Sequence, residues 1–446
     1  MFMKRVCDSN VAAIALAAIT LSTGVSSARG DEPRQQNWTA RLRGAIAQAL
    51  ARNPELTSME ARIEAARRRV SQAASLPDPE LELGVKDVPV ASPSLSRSDF
   101  TMEMVSAKQR LPAPGKLPAQ QRAAQAELDA LGSEHARHVA EIAADVADAF
   151  FALVSLDSRI EIVETSRRRL SEAAVSARER YRVGKGAQAD VLRADLEKTT
   201  LDDRLANLRA ERRSQAARFN TLQFLPAGTP VAPSVTGPAF PIDDRRAASE
   251  EDLFRQASEE SPAIAAAQAQ LRGAAERLEL ARVERRPDWT LTGYYARRER
   301  FEDLAGATAS FNLPWFHPRR LSDRRAEAEA EVSAARATLS AVRNDLSREI
   351  EIAYADLEKN REQARLYRDS ILPQAEINYR AAREAYAVGS IDFLTYIRAA
   401  TDLDTYQAES VERGTGIGRA LAMLQKASGL PLIEGSPAPG GEHVEK

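Results

Sequence analysis

The chain is written twice. Residues 49–56 read A-L-A-R-N-P-E-L and residues 257–264 read A-S-E-E-S-P-A-I, which sets Pro262 208 residues after Pro54. The same offset carries Pro79-Glu80-Leu81 onto Pro287-Asp288-Trp289. Further on, Tyr181-Arg182-Val183-Gly184 matches Tyr386-Ala387-Val388-Gly389, and Leu225-Pro226 matches Leu430-Pro431, both at an offset of 205. Solenoid units run about 20–50 residues, so a repeat this long is a duplicated half-domain. Each half has the same order: helix, short strands, then two long helices.

In the first half, Trp38–Arg52 and Pro54–Ser75 read as helices broken at Asn53-Pro54, and Pro77 and Pro79 stop the second. Residues 79–87 alternate as a strand with Leu81, Leu83 and Val85 on one face. A Pro/Ser loop follows over 88–98. Residues 99–111 alternate again, with Phe100, Met102 and Met104 opposite Thr101 and Glu103. From Ala119 to Val183 there is no proline and one glycine, Gly132. Leu128, Leu131, His135, Val139, Ile142, Val146, Ala149, Leu153, Leu156, Ile160 and Val163 fall at steps of three and four, a heptad-like seam. At 1.5 Å per residue this is a rod of roughly 100 Å. Gly184-Lys185-Gly186 breaks it, and a return helix runs over about 188–222.

The Pro/Gly-rich stretch 226–248 is the linker, so the first repeat spans 38–225 and the second 249–432. The second predicts helices over 249–260 and 262–285, strands near 287–297 and 307–314, a long helix over 321–387 kinked at Pro373, and a return over 392–428. Residues 433–446 are polar and read as a disordered tail.

Residues 1–28 read as a cleaved secretory signal: Lys4 and Arg5, an apolar run from Val11 to Leu21, and Ser26-Ser27-Ala28 as the cleavage site. The run is too short for a spanning helix of about 20 residues. Cys7, the only cysteine, lies inside this segment, so the mature chain is expected to hold no disulfide, cysteine nucleophile or cysteine metal site. A net charge of −2 offers nothing to nucleic acid. No later segment is apolar enough for a helical span, so any membrane crossing must use strands. Trp289, Leu291, Gly293 and Tyr295 alternate with Thr290, Thr292 and Tyr294, the apolar-out, polar-in pattern of an outer-membrane barrel. Four strands do not close, since the smallest barrels need about eight. Strands that span must therefore come from several copies, and a trimer supplies twelve.

This order and these tip motifs resemble the TolC-like outer-membrane efflux family over about 38–432. The resemblance implies a mainly α fold with a small antiparallel β part: a homotrimeric 12-stranded barrel in the outer membrane, continued by an α-helical periplasmic tunnel. It implies an exit duct whose tips dock on a periplasmic adaptor served by an RND-type inner-membrane pump. Val183, Gly184, Val388 and Gly389 match the adaptor-contact positions. Tyr386 matches the gating tyrosine and Asp190 a carboxylate that accepts its hydroxyl, so Asp190→Ala or Tyr386→Phe is expected to loosen the closed end. Here the sequence departs from the pattern. The two constriction carboxylates fall at Thr395 and Arg398, and the lock arginine at Ile391; Asp392 could supply one acid. Gln109-Arg110-Leu111-Pro112-Ala113-Pro114-Gly115-Lys116-Leu117 resembles the exit motif of the heavy-metal-efflux branch, which implies cationic metal cargo.

No cofactor or resident metal is expected. His135 and His138 share a helix face at a ligating spacing, yet no carboxylate or thiol cluster completes a site. Met102 and Met104 share a face with Phe100 and are expected to meet lipid or core. The runs Arg67-Arg68-Arg69 and Arg167-Arg168-Arg169 read as solvated helix faces. Nothing pairs a nucleophile with a base at readable spacing, so an enzyme is not expected. The alternative to a duct is an exported helical scaffold or adhesin without a pore.

Overall fold

A computed structural model describes residues 32–91, 93–96, 98–233, 255, 259 and 261–429. The signal segment, most of the linker, Leu430-Pro431 and the tail lie outside the described residues, as does the helix expected at 249–260 apart from Arg255 and Glu259, both helical. The first half contains α1 (Glu32–Arg52), α2 (Pro54–Ala73), β1 (Glu80–Lys86), β2 (Met102–Leu111), α3 (Lys116–Arg182) and α4 (Gln188–Leu222). The second contains α5 (Pro262–Val283), β3 (Trp289–Arg297), β4 (Leu304–Phe311), α6 (Pro318–Leu366), α7 (Leu372–Val388) and α8 (Phe393–Ser428). The repeat read from sequence is thus a repeat of elements.

Local chemistry sets these boundaries. Asn53 caps α2, its side chain accepting from the backbone of Glu55 and Leu56, with Pro54 in the first turn where a missing N–H costs nothing. α6 begins at Pro318, not at 321, for the same reason. Pro373 lies in the first turn of α7. A π-helical turn, Tyr367–Ile371, joins α6 to α7 just ahead of it, and such a turn absorbs the ladder bond that proline removes.

α3 is the spine. It packs along α2, α4, α5 and α8, and α6 packs along α5 and α8. Its middle is buried over most of its surface, from Ala143 and Val146 through Phe150 and Phe151 to Leu156, with Asp145 exposed and Asp148 paired to Arg218 and Arg419. The seam's earlier residues, Leu128 to Ile142, are only half-buried. Phe151 is 1% exposed and lies against Trp38 and Phe150. A side chain on Gly418 of α8 would begin 2.5 Å from the Phe151 ring, so that glycine is required for the closest helix approach.

The strands form one antiparallel sheet in the order β1-β2-β3-β4, leaving β1 and β4 as unpaired edges. The register sorts the side chains by face. Leu83, Val105, Tyr295 and Ala305 form one row, Leu81, Ala107, Gly293 and Ala307 the next, and Leu111, Trp289 and Phe311 the last. The opposite face carries Glu80, Lys108, Thr292 and Thr308, then Arg110, Thr290 and Ser310. The apolar face is bare: Leu83 is 70% exposed. Met102 and Met104 do not belong to it. Pairing of Val105 with Leu83 puts the odd-numbered residues of β2 on the apolar face, so both methionines share the other face with Ser106 and Lys108. No described helix is long and apolar enough to cross a membrane.

Sheet and helices meet at Asp288, which is 4% exposed. Its carboxylate accepts from the Ala113 N–H at 2.9 Å, from Arg110 at 2.9 Å and from Lys116 at 3.0 Å. Its own N–H donates to the Asn312 side chain at 2.6 Å. The exit segment Gln109–Leu117 is therefore a clamp around one acid. Burial pushes the Asp288 carboxyl up, but the bonds from Ala113, Lys116 and Arg110 together outweigh it and hold the group below its ordinary value of 3.8. The clamp's contribution is thus fully present above 3.8 and is lost as pH falls through the lowered folded value. Asp288→Ala strands Lys116 and is expected to cost about 3 kcal/mol. A thermal melt in detergent that is unchanged in this variant would refute the clamp.

Candidate functional site

Both long hairpins reverse on the same turn. Gly184 has φ 74 and Gly389 φ 82, the left-handed conformation that glycine adopts cheaply. Gly184 N–H donates to Tyr181 and Lys185 N–H to Arg180; Gly389 N–H donates to Tyr386 and Ser390 N–H to Ala385. These are two copies of one helix-ending motif. Val183 and Val388 are exposed, Val388 at 82%. Asp392 is the N-cap of α8, accepting from the Thr395 N–H at 2.8 Å. The Thr395 side chain and backbone hold its carboxyl below the usual range, with Arg398 adding to the effect. The matching position in the first half, Ala187, has no side-chain cap. Thr395 and Arg398 are themselves exposed.

Tyr386 is buried, at 6% exposure. Its ring stacks on Tyr396 at 5.4 Å and 9° and tilts against Phe393 at 5.4 Å. Tyr379 stacks on Tyr396 from the other side of the cluster at 6.1 Å. Burial pushes the Tyr386 phenol up, Asp190 adds to this and Arg180 opposes it. Among the described residues, no hydrogen bond joins the Tyr386 hydroxyl to half-buried Asp190. The contact that is made is with Arg180 of α3. Its guanidinium lies 4.9 Å over the Tyr386 ring and donates to the Tyr386 carbonyl.

Sequence reading missed Arg180, Tyr379, Tyr396 and Arg169. A signal was present: Tyr379 and Tyr386 lie seven residues apart on one helix face, and Phe393 and Tyr396 three apart on the return. Arg169 corrects the reading of its run as a solvated face. Arg167 and Arg168 are exposed, but Arg169 is half-buried, lies 5.5 Å over the Tyr379 ring and pairs with Asp404 at 3.2 Å. Asp404 is buried and also accepts from the Ser166 hydroxyl. His135 lies 3.9 Å from Glu60 and His138 3.5 Å from Glu141. No group of three or more metal-ligating side chains forms among the described residues.

The model of the outer membrane efflux protein family matches residues 45–224 and 253–430. The chain belongs to that family. The two matched segments coincide with the two halves of the fold. Protein CyaE of Bordetella pertussis is 32% identical over 334 residues, 70% of this chain and 68% of that protein. The cobalt-zinc-cadmium resistance protein CzcC of Cupriavidus metallidurans is 23% identical over 369 residues, 82% of this chain and 84% of that protein. Among solved structures, the outer membrane protein VceC of Vibrio cholerae superposes with a TM-score of 0.73 at 20% identity, covering 89% of this chain and 98% of VceC. This outer membrane efflux protein is mainly helical with a small antiparallel sheet, the fold of the solved structure it resembles, and a pore-free scaffold is not favoured.

Asp404 gives the helical part of this efflux protein a pH signature. Burial dominates and pushes its carboxyl above 3.8, against the pull of Ser166, Arg169 and Arg204. The folded state then binds the proton more tightly than the unfolded chain, so the group's contribution is present below 3.8 and is lost as pH rises through the raised value. In Asp404→Asn, melting relative to wild type should improve as pH rises from 3.8 toward neutrality. A difference in melting temperature that stays constant with pH would show that Asp404 does not titrate this way.

Proposed function

We propose that three copies join their four-stranded sheets into one 12-stranded outer-membrane barrel, and that the helices below form the tunnel of a tripartite efflux duct. One observation carries this reading: a sheet with a bare apolar face ends at two unpaired edges, β1 and β4. An edge left open in hydrocarbon strands several backbone groups without partners. Closure on the edges of neighbouring copies removes all of them. The apolar rows then face lipid, with Trp289 and Phe311, 5.2 Å apart, in the aromatic belt at the junction end. The face of Glu80, Lys108, Thr292 and Thr308 lines the pore.

In this reading the tunnel conducts passively what an inner-membrane RND-type pump and a periplasmic adaptor deliver. Val183, Gly184, Val388 and Gly389 form the adaptor-contact surface. Asp190, Tyr386, Asp392, Thr395 and Arg398 form the gate. The cargo is a heavy-metal cation. Its support is the name of the cobalt-zinc-cadmium relative, which matches most of both chains. A duct passes its cargo without holding it, so a ligand cage is not required.

The mass and conductance of the purified protein test the duct. A detergent-solubilised trimer that opens ion channels in planar bilayers is the expected result; a monomer that conducts nothing sinks it. Each of three Arg398 cations at the tunnel end lies near an Asp392 carboxylate that offsets it, so Arg398→Ala should shift small-ion passage toward cations, and an unchanged ion preference in that variant counts against their place at the tunnel end. For cargo, expression in a cell lacking its own duct, with a matching pump and adaptor, should restore growth in zinc, cobalt or cadmium. No rescue with any of the three points to another cargo. Val388→Trp should cut crosslinking to the adaptor severalfold while the trimer persists, and undiminished crosslinking counts against that surface.

A further inference from the structure

We propose that Arg180 latches the two hairpin tips of each copy together, and that this contact, rather than a bond from the Tyr386 hydroxyl, holds the tunnel end at rest. The gating half of this statement rests on the duct reading; the latch itself does not.

Three contacts converge on one guanidinium. It donates to the Tyr386 carbonyl, which also accepts from the Gly389 N–H that closes the turn. It lies 4.9 Å over the Tyr386 ring, where the negative π face attracts a cation. Its Nη2 lies 2.8 Å from the place a side chain on Gly389 would start. The two tip glycines therefore differ. Gly184 faces open space, with nothing within 4 Å of an added side chain, whereas Gly389 is the seat of Arg180. Among the described residues, no carboxylate lies in ion-pair reach of Arg180, so its charge is spent on the ring and the carbonyl.

The contact is placed to act at a distance. Tyr386 stacks on Tyr396 and Tyr396 on Tyr379, so α7 and α8 move as one aromatic layer. Arg169, eleven residues earlier on α3, holds that layer again at Tyr379. α3 thus grips the second hairpin at two levels, and any motion that separates the tips must break the outer grip first. The arginine that the family pattern expects at Ile391 is absent; the charge comes from the other half of the repeat.

The test uses the full chain in detergent and in planar bilayers. The variants are Arg180→Ala, Arg180→Lys, Tyr386→Phe and Tyr386→Leu, each verified to keep the wild-type mass. Amide exchange at Gly389 and Ser390 reads the latch, and single-channel conductance reads the gate. Arg180→Ala and Tyr386→Leu should raise both severalfold. Arg180→Lys should recover part of the effect. Tyr386→Phe should behave as wild type, because the ring and the carbonyl remain. Unchanged exchange in Arg180→Ala overturns the latch whatever the conductance does. Raised exchange at unchanged conductance overturns the gating role. A Tyr386→Phe variant as open as Tyr386→Leu returns the lock to the hydroxyl. If wild type and all variants conduct nothing, the duct reading falls, and exchange still decides the latch.

Discussion

One buried carboxylate joins the two materials of this protein. The sheet is short and bare on its apolar face; the helices below run for up to 67 residues. A rod that long acts as a lever, and a small error in its direction at the sheet becomes a large one at the tip. Asp288 fixes that direction. It takes a backbone N–H from the exit of β2, two side-chain cations flanking that exit, and passes its own N–H to Asn312 beside the exit of β4. Both strand-to-helix exits are therefore referred to one residue. Removing a charge partner from such a buried set costs more than the set contributes net, which is why the segment Gln109–Leu117 cannot drift piecemeal.

The duplication sets a frame that the two halves fill unequally. Asp288 is the repeat partner of Glu80, which is exposed and pairs with Lys108 at 3.1 Å on the sheet's polar face. Asn53 caps its helix through its side chain, while Ser261 makes no such bond. Asp392 caps α8, while Ala187 leaves α4 without a side-chain cap. Each pair begins from equivalent backbone and ends in different chemistry. In the trimer proposed above, two halves alternating around one axis would need different contacts at the junction inside a copy and at the junction between copies, which a single repeated sequence would not serve.

Much of the fold was legible because its signals are long and redundant. A proline-free stretch of more than sixty residues has few alternatives to helix, and α4 spans the very residues assigned to the return. Glycine at both reversals announced positive φ. The failures are of another kind. Met102 and Met104 were assigned a face from β2 alone, but a face is a property of the ladder, and Val105 against Leu83 decides it. Pro373 was legible as an interruption, while the π turn ahead of it was not. At the tip, Tyr386 was found by motif and Arg180 was not. A cation over a ring 206 residues away leaves no periodicity in the sequence.

The tip's chemistry would suit the proposed gate. Between Ala143 and Val154 the helices are held chiefly by close-packed apolar side chains, where a small displacement loses many contacts at once, with Asp148 paired to Arg218 and Arg419 among them. Toward the tip the buried apolar residues of α3 become Leu170, Ala173, Ala174 and Ala177, and the bulk is supplied by tyrosines whose partners are arginines. A guanidinium over a ring has a broad, shallow preference, and its release into water costs little because water solvates the freed cation well. The same helix can thus be rigid for most of its length and releasable at its end without any break in its backbone. The tip differs from the shaft in the kind of contact it makes, and that difference would let a rod carry the proposed gate.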